Sequence, residues 1–323
     1  MINNIYLTKT RCFGYTDQQL ALDDNTFLSY DLVEGWVKKY HLQEDQTKDF
    51  TEALKGVRYR VHLFCSKRGW NAALRLLPSK ILSFDTLGVG SNDVLSVCKG
   101  TGLTLFCGPT GSGKSTTMNT VIDSLLNSGE LGITITIEDP VEYLHHKDTI
   151  FQREVGTKVK DFKTGLVDAL RANPTTIVIS EIRDAETALE ALKAGLNGHR
   201  VLATLHASSI KEAISRLWAF LDEQGDELLV QSLQGIVAQH LIHIANNKKY
   251  CLYEALEVDK KVKNILNQVL DHNSQLTLNA CDLRQKNRMT LVEKNKNLSL
   301  TALMKICLIV FPKSHWANSG VSF

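Results

Sequence analysis

The sequence has 323 residues, of which 43% are hydrophobic and 22% are charged, as is typical of a soluble globular protein with room for two domains. A formal net charge of +2 gives no general attraction to nucleic acid. The seven cysteines are scattered and include no Cys-x-x-Cys pair, which argues against a disulfide framework and against a zinc ribbon. Because neither a signal-peptide pattern nor a membrane-spanning apolar stretch is visible, we expect a cytoplasmic protein.

The first 90 residues predict a mixed α/β domain. Residues 57–64 (VRYRVHLF) alternate basic or polar with apolar side chains, which is the pattern of a half-buried strand. Residues 72–77 are apolar around Arg75 and end at a proline. Residues 81–92 contain two glycines and favour a linker, so we place the domain boundary there.

Strands and helices alternate over residues 91–245. Asp161 stands where it would cap the start of a helix whose apolar residues recur at helical spacing. Alternation of this kind predicts a largely parallel sheet covered on both faces, and the remaining residues, 246–323, look mostly helical. The predicted strands are 103–107, 133–137, 177–179 and 201–205, and the predicted helices are 114–126, about 162–170 and 185–196.

A phosphate-binding loop is predicted between the first of these strands and the helix that follows it. The sequence GPTGSGKS fits the pattern G-x-x-x-x-G-K-[ST], in which glycines let backbone amides wrap around phosphate oxygens. Lys114 would reach the β- and γ-phosphates, and the Ser115 hydroxyl would bind Mg²⁺. The predicted nucleotide-binding residues are Gly108, Pro109, Thr110, Gly111, Ser112, Gly113, Lys114, Ser115 and Thr116.

Acidic and histidine residues follow three further predicted strands. Glu138 and Glu142 come just after one strand, where a carboxylate could orient and deprotonate an attacking water. Glu181 ends an apolar strand in the manner of a Walker B element and is a candidate Mg²⁺ ligand. His199 and His206 flank the last strand and could sense a γ-phosphate. Taken singly, an acidic turn is more often solvated surface and a lone histidine is more often structural.

Together these stretches resemble the secretion and twitching-motility ATPase superfamily, which is marked by a Walker A loop, an Asp box, an atypical Walker B element and a His box. The retraction-type pilus ATPases and the related conjugation and type IVB secretion ATPases are the most similar branch. The matching stretches are GPTGSGKST at 108–116, TIEDPVEY at 136–143, QREVG at 152–156, LRANPTTIVISEIRDAET at 170–187 and GHRVLATLHASS at 198–209.

The resemblance implies a PAS-like N-terminal domain (1–90), a RecA-like P-loop core (91–245) and a mainly helical C-terminal region (246–323). It implies a homo-hexameric ring that binds ATP between the two domains of each subunit and hydrolyses it with Mg²⁺. The expected partner is an inner-membrane platform protein of a pilus or secretion system, with peripheral membrane association through that partner only and no direct binding of nucleic acid.

Carried over residue by residue, the resemblance assigns a role to each candidate. Glu142 would be the catalytic base with Glu138 beside it, and Glu181 would lie at the Mg²⁺ site. His199 and His206 would couple the γ-phosphate to domain movement. Arg60 and Arg75 are candidate arginine fingers, with an ordinary strand arginine as the alternative for each.

Two residues depart from the family pattern. Thr175 stands where an aspartate is usual, and Ser180 stands where a glycine usually precedes the Walker B glutamate. The helical motif of retraction motors is only faint at 262–268 (VKNILNQ), and the four-cysteine module of extension motors is absent. The pattern therefore favours the retraction-like or conjugation branch.

Two other classes of function stay open on the sequence alone. A nucleic-acid motor would need a basic channel with stacking aromatic residues, but aromatic residues make up only 7% of the chain. An assembly subunit that binds ATP without hydrolysing it is compatible with the additional side chain of Ser180.

Overall fold

The computed structural model describes residues 4–15, 20–22, 28–221, 225–244 and 248–271. Its contacts define two compact units. The N-terminal unit comprises residues up to Ile81 together with Glu138–His146 and Gln152–Lys160, and the core unit comprises the remainder. The predicted boundaries near 90 and 245 stay predictions. Most of the predicted helical C-terminal region, from 272 onward, lies outside the described residues.

The N-terminal unit is a six-stranded antiparallel sheet in the order β3-β2-β1-β6-β5-β4, and one helix packs on it. Apolar side chains of that helix and of the strands, among them Val33, Trp36, Phe50 and Val61, form its core. The strand predicted at 57–64 is confirmed as β5. The elements are β1 (Asn4–Leu7), β2 (Cys12–Tyr15), β3 (Leu20–Leu22), α1 (Tyr30–Lys39), β4 (Lys48–Leu54), β5 (Val57–Ser66) and β6 (Gly69–Leu76).

The segment 81–92, which the sequence predicts as a linker, contains α2 (Phe84–Leu87) and the start of α3 (Ser91–Val97). The Ser83 hydroxyl accepts a hydrogen bond from the Thr86 backbone N–H at 3.3 Å and so caps α2. Gly88, one of the two glycines of this segment, ends α2 in a left-handed conformation with φ of 67°. Apolar residues of both short helices pack on the hydrophobic core of the core unit, and that burial stabilises the two helices.

The core unit contains a seven-stranded sheet in the order β13-β12-β7-β11-β10-β8-β9. The predicted strands and helices are confirmed, and the predicted parallel pairing holds for β7 with β11, β11 with β10, β10 with β8 and β12 with β7. The elements are β7 (Gly102–Cys107), α4 (Lys114–Asn127), β8 (Thr134–Glu138), β9 (Ile150–Glu154), α5 (Phe162–Arg171), β10 (Thr176–Ile182), α6 (Ala185–Leu196), β11 (Arg200–Leu205), α7 (Ile210–Phe220), α8 (Gly225–Ser232), β12 (Leu233–Ile244), β13 (Lys248–Glu257) and α9 (Lys260–Asp271).

β13 is a strand that the sequence analysis did not identify within the region 246–323, whose mainly helical character stays a prediction. It pairs antiparallel with β12 over ten residue pairs, from Gly235 opposite Glu257 to Ile244 opposite Lys248. Strand formation depends on the neighbouring strand more than on intrinsic propensity, so the sequence of 248–257 alone did not reveal it. The following segment forms a helix, as predicted: α9 contains residues 262–268, which faintly resemble the helical motif of retraction motors.

Strands β7 and β8 of the core unit are buried on both faces. All six residues of β7 are buried, as are all five of β8, and such strands read as nearly continuous apolar runs. Cys107 at the end of β7 lies opposite Leu205 at the end of β11, so the loops after these strands leave the same edge of the sheet. Among the described residues, no helix is long and apolar enough to cross a membrane.

The predicted cap of α5 gives the first test. The Asp161 Oδ1 atom accepts the Thr164 backbone N–H at 2.7 Å. We expect Asp161→Ala to lower the free energy of unfolding by about 1 kcal/mol, because the backbone N–H of Thr164 in the first turn loses its side-chain acceptor. Asp161→Asn keeps an acceptor at this position and serves as the control in urea denaturation. Equal stability of the two variants would contradict the capping role.

Candidate active site

The predicted phosphate-binding loop lies between β7 and α4 and begins at Gly108. Any Cβ atom at Gly108 would collide with the backbone carbonyl oxygen of Gln239 and with the Ser112 Oγ atom, so only glycine fits there. Gly113 is the last loop residue and has φ of 87°, which other residues rarely adopt. The loop therefore leads directly into the N-terminus of α4, where the helix dipole favours an anion.

Lys114 is the first residue of α4 and is only 7% exposed. Its Nζ atom donates hydrogen bonds to the carbonyl oxygens of Gly108 at 2.9 Å and Pro109 at 3.1 Å. The ammonium group thus lies against the loop that its own helix follows. Of the other predicted nucleotide-binding residues, Ser115 and Thr116 are half-buried in the first turn of α4, whereas Pro109, Thr110 and Gly111 are exposed.

Glu181 and His206 meet at the carboxyl edge of the same sheet. The Glu181 Oε1 atom lies 3.1 Å from His206 Nε2, and its Oε2 atom accepts a hydrogen bond from Arg183 Nε at 2.8 Å. Glu181 belongs to an irregularity of β10, since the register with β11 shifts between Ile179 and Ile182. That shift lets the strand end present a carboxylate beside the loop that follows β11.

The electrostatic surroundings keep His206 neutral near pH 7. Burial lowers the pKa of the imidazole, and the positive charges of Lys114, Arg216 and Arg183 lower it further, while Glu181 acts in the opposite direction. The influence of Lys114 shows that the histidine lies within electrostatic reach of the phosphate-binding loop. Arg216 of α7 also donates to the His206 carbonyl oxygen at 2.6 Å, which ties this loop to a helix.

His199 lies at the other end of the sheet. It directly precedes β11, and its Nδ1 atom is 2.7 Å from the Pro174 carbonyl oxygen. Six residues of extended chain separate it from Leu205, which is about 20 Å at the usual rise per residue. The structure therefore does not bring His199 together with Lys114, Glu181 and His206, and its role toward the γ-phosphate stays a prediction that this placement does not favour.

Glu138 is the last residue of β8, Glu142 lies on the segment that follows, and both belong to the N-terminal unit. Glu138 is 6% exposed, and its Oε1 atom accepts a hydrogen bond from Gln152 Nε2 at 2.9 Å. Glu154 accepts hydrogen bonds from the Val141 backbone N–H and from the Thr51 hydroxyl, both at 3.1 Å. These contacts hold the segment against strand β4, while the Glu142 side chain stays half-buried.

Arg58 of β5 holds the backbone next to Glu142. Its Nη1 atom donates to the Glu142 carbonyl oxygen at 3.1 Å, and its Nη2 atom donates to the Val141 carbonyl oxygen at 2.6 Å. Burial lowers the pKa of the guanidinium, and the charges of Glu154 and Glu138 oppose that shift. Because a guanidinium remains charged in proteins, Arg58 acts as a rigid two-pronged donor to the loop.

The two predicted arginine fingers lie directly opposite each other in the N-terminal unit, since Arg60 of β5 pairs with Arg75 of β6. Arg60 also approaches Asp49, with 3.5 Å between Nε and Oδ1, whereas Arg75 is exposed. Side chains alternate along a strand, so Arg58 and Arg60 share one face of the sheet. Like charges directly opposite each other are unfavourable, which fits a face that receives an anion.

Sequence reasoning did not select several residues of the site. Arg58 and Gln152 stood inside quoted stretches, RYRV and QREVG, but the pattern of those stretches carried no indication of what they contact. Arg183 and Gln239 were missed as well. The alternation of arginines in RYRV was the available signal, because it places Arg58 on the same face as Arg60.

The contacts of Arg58 generate a prediction for the loop. In Arg58→Met, the Val141 and Glu142 carbonyl groups lose their donors, so we expect amide hydrogen exchange across residues 139–146 to become about ten-fold faster. Arg68→Met, an exposed arginine in the same unit, is the matched control and should leave this exchange unchanged. Unaltered exchange in Arg58→Met would show that other contacts suffice to order the loop.

Comparisons with known proteins agree with the geometry. Residues 43–300 match the family model described as type II/IV secretion system protein. The type IV pilus retractation ATPase PilT of Pseudomonas aeruginosa is 35% identical to the chain over 250 residues, which are 75% of this chain and 72% of that protein. These matches cover far more of the chain than the motifs themselves.

Solved structures show the same relationship. The crystal structure of the pilus retraction motor PilT with bound ADP has a TM-score of 0.73 and 32% identity, with 84% of each chain covered. The X-ray structure of the Legionella pneumophila ATPase DotB has a TM-score of 0.76 over 89% of this chain and 85% of that one, and at 24% identity it supports the fold alone. The chain therefore belongs to the type II/IV secretion system protein family, as its sequence motifs predicted.

Proposed function

We propose that this chain is a Mg²⁺-dependent ATPase that works as a homo-hexameric motor for a pilus or secretion machinery. The observation that carries the proposal is the convergence of Lys114, Glu181 and His206 at one edge of the parallel sheet. The loop beside them begins at Gly108, a position at which only glycine fits. Related proteins include a pilus retraction motor with bound ADP, which supports the same nucleotide class here.

The core unit would bind the nucleotide. Backbone N–H groups at the start of α4 and the Lys114 ammonium would hold the phosphates, which carry the negative charge that this end of a helix favours. The Ser115 hydroxyl and the half-buried Glu181 carboxylate would supply oxygen ligands, which suit Mg²⁺. When bound, Mg²⁺ would neutralise charge on the phosphates during hydrolysis.

The N-terminal unit would supply the hydrolytic groups. We assign Glu142 as the general base that accepts a proton from the attacking water, with the buried Glu138 carboxylate supporting the same segment. Arg58 would keep that segment in position through two backbone carbonyl groups. Arg60 and Arg75 would stabilise charge on the transferred phosphoryl group, since each carries a permanent positive charge on the same sheet face.

Nucleotide turnover would drive movement through the Glu181–His206 contact. A neutral His206 can donate only one hydrogen bond, so an added anionic ligand at the loop would compete for it with Glu181. Because Arg216 binds the His206 carbonyl oxygen, a change at His206 would reach α7. ATP binding would favour a closed state and hydrolysis would release it. The partner would be an inner-membrane platform protein, reached from the cytoplasm.

Lys114→Ala tests the binding half of the site. We expect ATP turnover to fall by about 100-fold or more, because the variant removes the cation that contacts the transferred phosphate. Circular dichroism and gel filtration should match the wild type. Lys99→Ala removes an exposed lysine from the same unit and should keep wild-type turnover. Unchanged ATPase activity in Lys114→Ala would refute the assignment of this loop.

Glu142→Ala tests the hydrolytic half of the site. Turnover should fall by about 100-fold or more while the Kd for ADP stays nearly the same, because a general base acts on water and not on the nucleotide. Glu44→Ala, an exposed glutamate of the same unit, is the control. The mass in solution is measured in parallel. A wild-type protein that forms a hexamer and binds ATP but does not hydrolyse it would favour the assembly-subunit alternative.

A further inference from the structure

Strand β12 runs beside the phosphate-binding loop. It pairs in parallel with β7, and its residue Ala238 lies opposite Cys107, the last residue of β7. The next residue, Gln239, therefore stands beside Gly108, where the loop begins. Its side chain is 1% exposed although it is an uncharged polar group, and none of the family motifs quoted above contains it.

Gln239 contacts the loop at both of its ends. The side-chain Nε2 atom donates a buried hydrogen bond to the Ser112 carbonyl oxygen at 2.6 Å. The backbone carbonyl oxygen of Gln239 fills the space where a Cβ atom of Gly108 would lie. Gln239, on a paired strand, thus restricts both the position of the loop's first residue, Gly108, and the orientation of the peptide group between Ser112 and Gly113.

The hydrogen bond sets the direction of one backbone N–H group. In a planar trans peptide, the C=O of one residue and the N–H of the next point in opposite directions. With the Ser112 carbonyl group directed to Gln239, the N–H of Gly113 must point away from Gln239. That N–H immediately precedes α4, and groups at this position of a helix bind phosphate oxygens.

Two polar atoms of this contact show that stability alone does not explain it. Within the described part of the chain, the Gln239 Oε1 and Ser112 Oγ atoms are buried and have no hydrogen-bond partner. Unsatisfied buried polar groups are unfavourable, and apolar side chains fill the neighbouring positions 236–238 of β12. A polar residue with such a cost indicates a requirement of the loop and of the ligand that it receives.

We propose that Gln239 is a positioning residue of the nucleotide site, which holds the Ser112–Gly113 peptide so that the Gly113 N–H faces the phosphates of the bound nucleotide. The proposal rests on the proposed function, because it requires that the loop binds a nucleoside phosphate. Gln239 acts through the backbone of the loop and does not itself touch the phosphates.

The test measures the Kd for fluorescently labelled ADP with Mg²⁺ and the steady-state ATPase constants in the full chain. In Gln239→Leu the Ser112 carbonyl loses its donor and the peptide is free to turn, so we expect the Kd for ADP and the KM for ATP to rise about ten-fold. The kcat at saturating ATP should stay within about three-fold, since Glu142 and the arginines are untouched. Gln239→Glu should weaken binding at least as much, because a carboxylate cannot donate and adds a negative charge beside the phosphates.

Gln234→Leu is the matched control, since it makes the same chemical change at the other end of β12, where the residue is half-buried. It should keep the wild-type Kd and KM. If Gln239→Leu does not fold, Gln239→Met, which has a similar length and no donor, replaces it.

The outcomes separate this proposal from the proposed function. Tight ADP binding by the wild type with the same Kd in Gln239→Leu, even at a lower Tm, would overturn the positioning role and leave the ATPase proposal intact. A loss confined to kcat would also overturn it. If the wild type itself binds no ADP, the ATPase proposal fails first and the role of Gln239 fails with it.

Discussion

Parallel pairing of β7, β11 and β10 is the constraint on which the rest of the site depends. Because the three strands run in the same direction and in register, the loops after Cys107, Leu205 and Ile182 leave one edge of the sheet. Helices packed on the sheet bury these strands, and this burial holds the strands in position. The loops are therefore free to carry polar residues, and their chemistry is brought together by hydrophobic burial elsewhere.

Positive and negative groups lie close together at this edge of the sheet. A helix N-terminus and the buried ammonium of Lys114 favour an anion, and Glu181 supplies negative charge close to them. His206 lies between these influences, and its lowered pKa reflects burial and nearby cations more than the attraction of Glu181. A neutral histidine between a cation and a carboxylate is sensitive to any change in the charge of the loop. In the proposed function, that sensitivity would couple nucleotide state to α7, which binds the same loop through Arg216.

The residues assigned to binding and to hydrolysis belong to different compact units. Two segments that follow Ile137 in the chain, Glu138–His146 and Gln152–Lys160, belong to the N-terminal unit and not to the core unit. Contacts from Arg58 and Glu154 hold the first of these segments on the N-terminal sheet. The carboxylate proposed as the general base and the phosphate-binding loop thus belong to different units.

Local sequence determined those features whose causes are local. The phosphate-binding loop, the Asp161 cap and the buried strands follow from glycine conformation, side-chain capping and apolar runs, and each was predictable within a few residues. Tertiary structure alone decided that Gln239 reaches Ser112 and that Arg58 holds the Glu142 segment. These contacts join residues distant in sequence, and they depend on strand order and register, which the pattern of one segment does not specify because the partner strand sets them.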